Sequence, residues 1–162
     1  MKNWESRATE IAYLLNPAFC GRIIYYAIKT YEQESKHPMP FPLVYLILPL
    51  VLHRKTRERI KCVTQMQIWI QRNPDMLIGF ADRAKSMVQI TNEAVEFLMQ
   101  SGTVTLTNNA ELELAQLFKS LSASKYTNEE IKECISKSSS VAKWFAKAGT
   151  VETIYISWGV RP

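Results

Sequence analysis

Apolar residues recur every three to four positions along most of the chain, the spacing that gathers them on one side of an α-helix. Trp4, Ala8, Ile11, Ala12 and Leu15 predict a short helix over 4–15. Asn16 followed by Pro17 is a start signal: a capping side chain precedes a proline whose missing N–H is harmless in a first turn. Cys20, Ile23, Ile24, Ala27, Ile28 and Tyr31 carry this second helix to about residue 34. Three prolines alternate through His37-Pro38-Met39-Pro40-Phe41-Pro42, which predicts a rigid, extended connector. Residues 43–52 are apolar on every side, so periodicity does not separate a buried helix from a buried strand. Pro49 argues against a central strand and favours a helix whose first turn begins near Pro42.

A weaker helical pattern covers 56–72 through Ile60, Met66, Trp69 and Ile70, and Asn73-Pro74-Asp75 breaks it. Leu77, Phe80, Ala81, Ala84 and Val88 form the next stripe. Thr91 reads as the cap of a further helix running to about Gln100, with Glu93 in its first turn and Ala94, Val95, Phe97 and Leu98 on its apolar face. Ser101-Gly102 ends it. Two alternating segments, 103–107 and 110–114, flank Asn108-Asn109, a turn pair that tolerates positive φ. This is the strongest hairpin signal in the chain. Helix, turn, helix and hairpin over about 76–114 follow the order of a winged-helix unit. Residues 116–124 read as a short helix and loop. Thr127 with Glu130 reads as a capping box for a helix whose face runs through Ile131, Cys134, Ile135, Ser138, Ala142 and Phe145 to about Lys147. Gly149 stops it, and 151–158 fits either a last strand or a short helix. The expected fold is mainly α in the α+β class: one helical domain over 1–162 with a winged-helix-like part.

The size agrees, since 162 residues is one ordinary domain. With 47% hydrophobic and 22% charged residues the composition is globular. The longest apolar run, 41–52, is too short for a membrane-spanning helix, and the polar N-terminus lacks the apolar stretch of a secretory signal. Cys20, Cys62 and Cys134 are odd in number, far apart and outside any C-x-x-C pair, which argues against a disulfide framework or zinc site and for a reduced, cytosolic protein.

Charge changes the picture locally. The net charge is +5, and Arg54, Lys55, Arg57, Arg59 and Lys61, against Glu58, place most of it in eight residues. Such a run can neutralise phosphates or face an acidic partner. The winged-helix segment points the other way. Its second helix carries Glu93 and Glu96 and its hairpin Glu111 and Glu113, with no lysine or arginine, whereas a DNA-reading helix is basic or rich in amides. A surface of that kind docks on protein rather than DNA. Trp4, Tyr25, Tyr26, Trp144, Tyr155 and Trp158 exceed what one helical stripe buries, which makes Tyr25, Tyr26, Trp144 and Trp158 interface candidates as well as core candidates.

Catalytic chemistry is poorly represented. His37 and His53 are the only histidines, and neither belongs to a zinc-protease spacing. No Walker, G-x-S-x-G or G-x-G-x-x-G pattern occurs. The cysteines lie on or beside apolar faces, where a small buried hydrophobe is the default. No cofactor, metal or catalytic residue is expected, and an enzyme centred on Cys20 or His53 is the least supported reading.

Several segments resemble a known family. They are Leu14-Leu15-Asn16-Pro17-Ala18-Phe19-Cys20-Gly21, Met39-Pro40-Phe41-Pro42-Leu43-Val44-Tyr45-Leu46, Leu48-Pro49-Leu50-Val51-Leu52-His53, Trp144-Phe145-Ala146-Lys147-Ala148-Gly149 and Gly159-Val160-Arg161-Pro162. In order and combination they are similar to the middle component of bacterial three-component ABC systems, over essentially the whole chain. The resemblance implies a small protein encoded between an effector and an ABC ATPase of the chromosome-maintenance (SMC) type, in systems similar to Lamassu-type anti-phage defences. It implies an adaptor between a DNA-sensing ATPase and an effector, often a nuclease, with no active-site residues of its own. The run 54–61 would then touch DNA held by the ATPase, or an acidic partner surface. The alternative is a winged-helix DNA-binding regulator using that run.

Overall fold

The computed structural model describes residues 15–61, 63–115 and 128–161. The first long helix, α1 (Pro17–Ser35), begins where the Asn-Pro signal places it, with the Asn16 side chain accepting a hydrogen bond from the Ala18 N–H at 2.8 Å. Its face of Cys20, Ile23, Ile24, Ala27 and Ile28 is fully buried. Lys36, with φ of 64°, closes it by donating its N–H to the Glu32 carbonyl. The proline-rich connector follows as β1 (Met39–Pro40) and a 3-10 turn (Phe41–Leu43).

The apolar run is the helix α2 (Val44–Val51), with Pro49 inside it. Seven of its eight residues are buried and Tyr45 partly so, as a helix apolar all round requires. The weaker pattern after it breaks in two, α3 (Arg54–Arg59) and α4 (Met66–Arg72), so the continuous helix expected over 56–72 is corrected. Ile60 at the break is extended and buried, and the Trp69 indole N–H donates to the Arg59 carbonyl at 2.7 Å, tying α4 back across the gap. A 3-10 turn (Pro74–Leu77) leads to α5 (Phe80–Ser86) and α6 (Val88–Gln100). Thr91 is not a cap: it is buried inside α6, its hydroxyl donating to the Met87 carbonyl.

The hairpin is β2 (Val104–Leu106) and β3 (Glu111–Leu114). Its positive φ falls on Ala110, at 57°, not on the Asn pair. β1 pairs antiparallel with the far side of β3, so the strand order is β1-β3-β2. A two-residue strand carrying a proline is tolerated only at an edge, which is where β1 lies. The helix α7 (Glu129–Lys147) is capped by Asn128, whose side chain accepts from the Glu130 and Ile131 N–H groups; this replaces the cap assigned to Thr127. The last segment is helical, α8 (Val151–Ser157). The helix expected over 4–15, apart from Leu15, and the segment 116–124 lie outside the described residues.

The described residues are mainly helical, with one small antiparallel sheet and one core. In that core α1 packs chiefly against α7 and α6, and α2 lies among α1, α5, α6 and α7. Gly21 marks the closest approach of α1 to α6: the place of a Cβ is 3.4 Å from Ala94 O, Leu98 Cγ and Phe97 Cδ1.

Candidate interaction surface

Residues 87–115 hold four carboxylates and no lysine or arginine, while the chain has a net charge of +5, so the remainder sums to +9. The acidic stretch is α6 plus the hairpin. Side chains alternate along β3, so Glu111 and Glu113 share one face of the sheet and Leu112 takes the other. The pairing Leu106↔Leu112 and Thr105↔Glu113 extends both faces onto β2. α6 presents Asn92, Val95, Glu96 and Met99, at helical spacing, to a groove of about 600 Å³ completed by Phe41 and Leu106. Met99 and Leu106 are 42% and 47% exposed. The Tyr45 hydroxyl donates to Asn92 Oδ1 at 2.7 Å, and the Gln100 amide donates to Glu96 Oε1 at 3.0 Å, so this wall is held in place by its neighbours.

The basic run is not a uniform face. Arg57 is 3% exposed and turned inward: Nη1 donates to the Val51 carbonyl at 3.1 Å, Nη2 to Glu130 Oε1 at 2.6 Å and Nε to Glu133 Oε2 at 2.9 Å. Burial works to lower its pKa, but the hydrogen bonds it donates to the two glutamates outweigh it and the pKa is raised. On the other side of α2, Arg83 Nε donates to the Pro49 carbonyl and the guanidinium stacks on Phe80 at 5.3 Å. Two cations therefore serve the unpaired carbonyls at the negative end of α2. Arg57, expected among the surface contacts, is a buried ion paired with two glutamates. Arg54 pairs with Glu58 at 2.7 Å and Arg59 with Asp75 at 2.8 Å, both in solvent. Lys55 and Lys61 are exposed, Lys55 beside a cleft of about 510 Å³ shared with His53, Arg59, Asp75 and Arg83.

Three of the four aromatic interface candidates belong to the core. Tyr25, Trp144 and Trp158 are 2%, 4% and 1% exposed. Trp69 stacks with Trp144 at 5.3 Å and with Trp158 at 5.8 Å, and Trp158 meets Phe80 at 5.1 Å. This cluster joins α4, α5, α7 and the end of α8. Tyr26 stays partly exposed, edge-on to Tyr25.

The reactive side chains are held quiet. Burial, with Cys134 and Glu93 nearby, pushes the Cys20 thiol up to about 12, and burial also raises that of Cys134. A thiol so protonated is a poor nucleophile. Cys62 lies outside the described residues. His53 Nδ1 is 2.7 Å from Thr56 Oγ1, and burial with nearby Arg83 and Lys55 lowers its pKa, favouring the neutral ring. Among the described residues no group of three or more His, Cys, Asp or Glu is arranged to hold a metal ion, and no helix is long and apolar enough to cross a membrane.

The groove is what sequence reasoning missed. Its signal is a second stripe on α6, Val88, Asn92, Val95 and Met99, beside the apolar face through Ala94 and Leu98. The contributions of Phe41 and Leu106 come from distant segments and carry no local signature. Phe97, expected on the buried face, is 44% exposed.

In a comparison with known families, the model for ABC-three component (ABC-3C) system Middle Component 3 matches residues 4–162. No curated protein matches the chain, and no solved structure does.

Proposed function

The chain belongs to the Middle Component 3 family of ABC-three component systems, and from that premise we propose that it is a non-catalytic adaptor. It would hold an SMC-like ABC-type ATPase to an effector of nuclease type, in a bacterial anti-phage defence similar to the Lamassu systems. Family membership makes it one part of a multi-component ABC system. The observation that supports an adaptor is the acidic stretch of α6 and the hairpin: residues 87–115 hold four carboxylates and no lysine or arginine, with Met99 and Leu106 exposed, where a DNA-reading surface would need cations. A phosphate backbone is repelled there, and a protein surface is not.

The mechanism is differential binding. The adaptor stabilises an assembly in which the effector is inhibited, and DNA engaging the ATPase favours a second arrangement in which the effector is released or reoriented. Co-expression with the ATPase and effector genes, with the tag on this chain alone, tests the reading: both components are retained at moderate salt. Elution of the chain alone contradicts it.

A second reading, a DNA-binding regulator, draws on Lys55 and Lys61, which remain exposed once Arg57 is buried and Arg54 and Arg59 are paired. It predicts duplex binding that weakens steeply with salt and is lost in the Lys55→Glu, Lys61→Glu variant.

A further inference from the structure

The cleft of about 510 Å³ between α3 and α5 carries positive charge that its surroundings leave uncompensated. Arg83, on α5, is half-buried, and among the described residues it enters no salt bridge. Its Nε serves the Pro49 carbonyl, but its Nη2 is buried without a hydrogen-bond partner. Burial lowers its pKa and no carboxylate acts against it. A guanidinium drawn out of water calls for an anion beside it. Lys55, on α3, lines the same cleft, is exposed and also lacks a carboxylate partner among the described residues. The two carboxylates of the lining are already engaged, Glu58 with Arg54 at 2.7 Å and Asp75 with Arg59 at 2.8 Å. His53 senses the imbalance: after burial, Arg83 and then Lys55 lower its pKa. The Thr56 hydroxyl lies 2.7 Å from His53 Nδ1 and 3.6 Å from Met76 Sδ. Its proton goes to the ring nitrogen, the stronger acceptor, which leaves the Nε2–H of the neutral imidazole as an unengaged donor. Met76 and the 79% exposed Ile78 add an apolar wall.

We propose that this cleft binds a phosphate monoester of about nucleotide size. The phosphate group sits against Lys55, Arg83 and the His53 Nε2–H, and the organic part lies along Ile78 and Met76. Two separate cations and a neutral donor match the two charges and three terminal oxygens of a phosphate monoester better than the single charge and two oxygens of a carboxylate. The volume falls in the range of small-molecule sites, about 300–1,000 Å³, and leaves room well beyond one phosphate ion. Duplex DNA is disfavoured, because Glu58 and Asp75, 51% and 52% exposed at the rim, repel a continuous phosphate backbone. The cleft belongs to this chain alone, so its occupancy is independent of the adaptor role.

The test is calorimetric titration of the full chain with adenosine monophosphate, inorganic phosphate and adenosine, at low ionic strength. The expected order is adenosine monophosphate, then inorganic phosphate, with no heat from adenosine. Lys55→Gln weakens the binding of adenosine monophosphate about tenfold, the loss of one charged hydrogen bond, at an unchanged melting temperature. Arg83→Gln weakens it further; because Arg83 also serves the Pro49 carbonyl, Lys55→Gln decides if that variant does not fold. Lys61→Gln, exposed and outside the cleft, binds as wild type does. In proton spectra adenosine monophosphate moves the His53 ring resonances and leaves those of His37, in the proline-rich connector, in place. Absence of binding by both adenosine monophosphate and inorganic phosphate overturns the proposal. So does equal weakening by Lys55→Gln and Lys61→Gln, which is general electrostatics. Duplex DNA that binds and displaces adenosine monophosphate from the cleft also overturns it, in favour of a nucleic-acid site.

Discussion

Replacing Arg57 by methionine tests most sharply how the basic run is used. The change keeps the length of the stem and removes the charge and all the donors. Arg57 is 3% exposed and holds Glu130 and Glu133 at 2.6 and 2.9 Å while serving the Val51 carbonyl at 3.1 Å. Loss of a charged hydrogen bond costs about 1.5–3 kcal/mol, and a buried carbonyl left without its donor about 1–3 kcal/mol. Glu130 and Glu133 are 60% and 35% exposed, so both recover water, which reduces the first term. Removing a buried cation also relieves its desolvation, which offsets part of the rest. The net expectation is a destabilisation of about 2–4 kcal/mol. In a chain of 162 residues this lowers Tm by about 5–15 °C. The assay is thermal and urea unfolding followed by circular dichroism. Arg54→Met and Arg59→Met remove exposed pairs and serve as controls, each within about 0.5 kcal/mol of wild type. An Arg57→Met protein as stable as those controls would refute the structural role, and a selective loss of nucleic-acid binding would restore Arg57 to the surface.

Further expectations concern the core, one helix cap and three titrating groups. Trp144→Ala costs about 3–5 kcal/mol in urea unfolding, since the side chain is core; an interface role predicts no loss in the isolated chain. Asn128→Ala costs about 1 kcal/mol in the same assay, through the lost cap of α7. Cys20 and Cys134 resist alkylation at pH 8 in the folded chain and react on unfolding, as site-resolved mass spectrometry will show; rapid labelling of folded Cys20 contradicts a thiol pushed up to about 12. Hydrogen bonding from Lys147, with Lys143 nearby, lowers the pKa of Glu34. A depressed carboxyl stabilises the fold above its unfolded pKa, and that stability is lost as pH falls through the folded value. Glu34→Gln therefore flattens the acid limb of the stability curve; an unchanged limb shows that this link between α1 and α7 contributes nothing.

Elements were legible where one segment decides its own structure. The Asn16-Pro17 start, the buried faces of α1 and α7, and the hairpin between Thr103 and Leu114 follow from local periodicity and turn chemistry. The sequence pattern misled where a distant partner decides. Ile60 and Trp69 suit one helix over 56–72 as well as two short ones, and the break is fixed by the Trp69 bond to the Arg59 carbonyl and the tryptophan cluster around it. Thr91 looks like a cap, yet α6 starts at Val88 and buries it. Arg57 stands in a basic run, yet its partners are 73 and 76 residues away. Charge counted along the chain therefore overstated one surface. The acids of α6 and the hairpin, by contrast, lie in one continuous stretch of sequence with no lysine or arginine among them.

The proposed adaptor joins two other proteins. The most direct measurement is native mass spectrometry of the co-expressed ATPase and effector, with and without this chain. The prediction is a ternary assembly when it is present and two separate components when it is omitted. An ATPase–effector complex that forms equally well without it would contradict the claim.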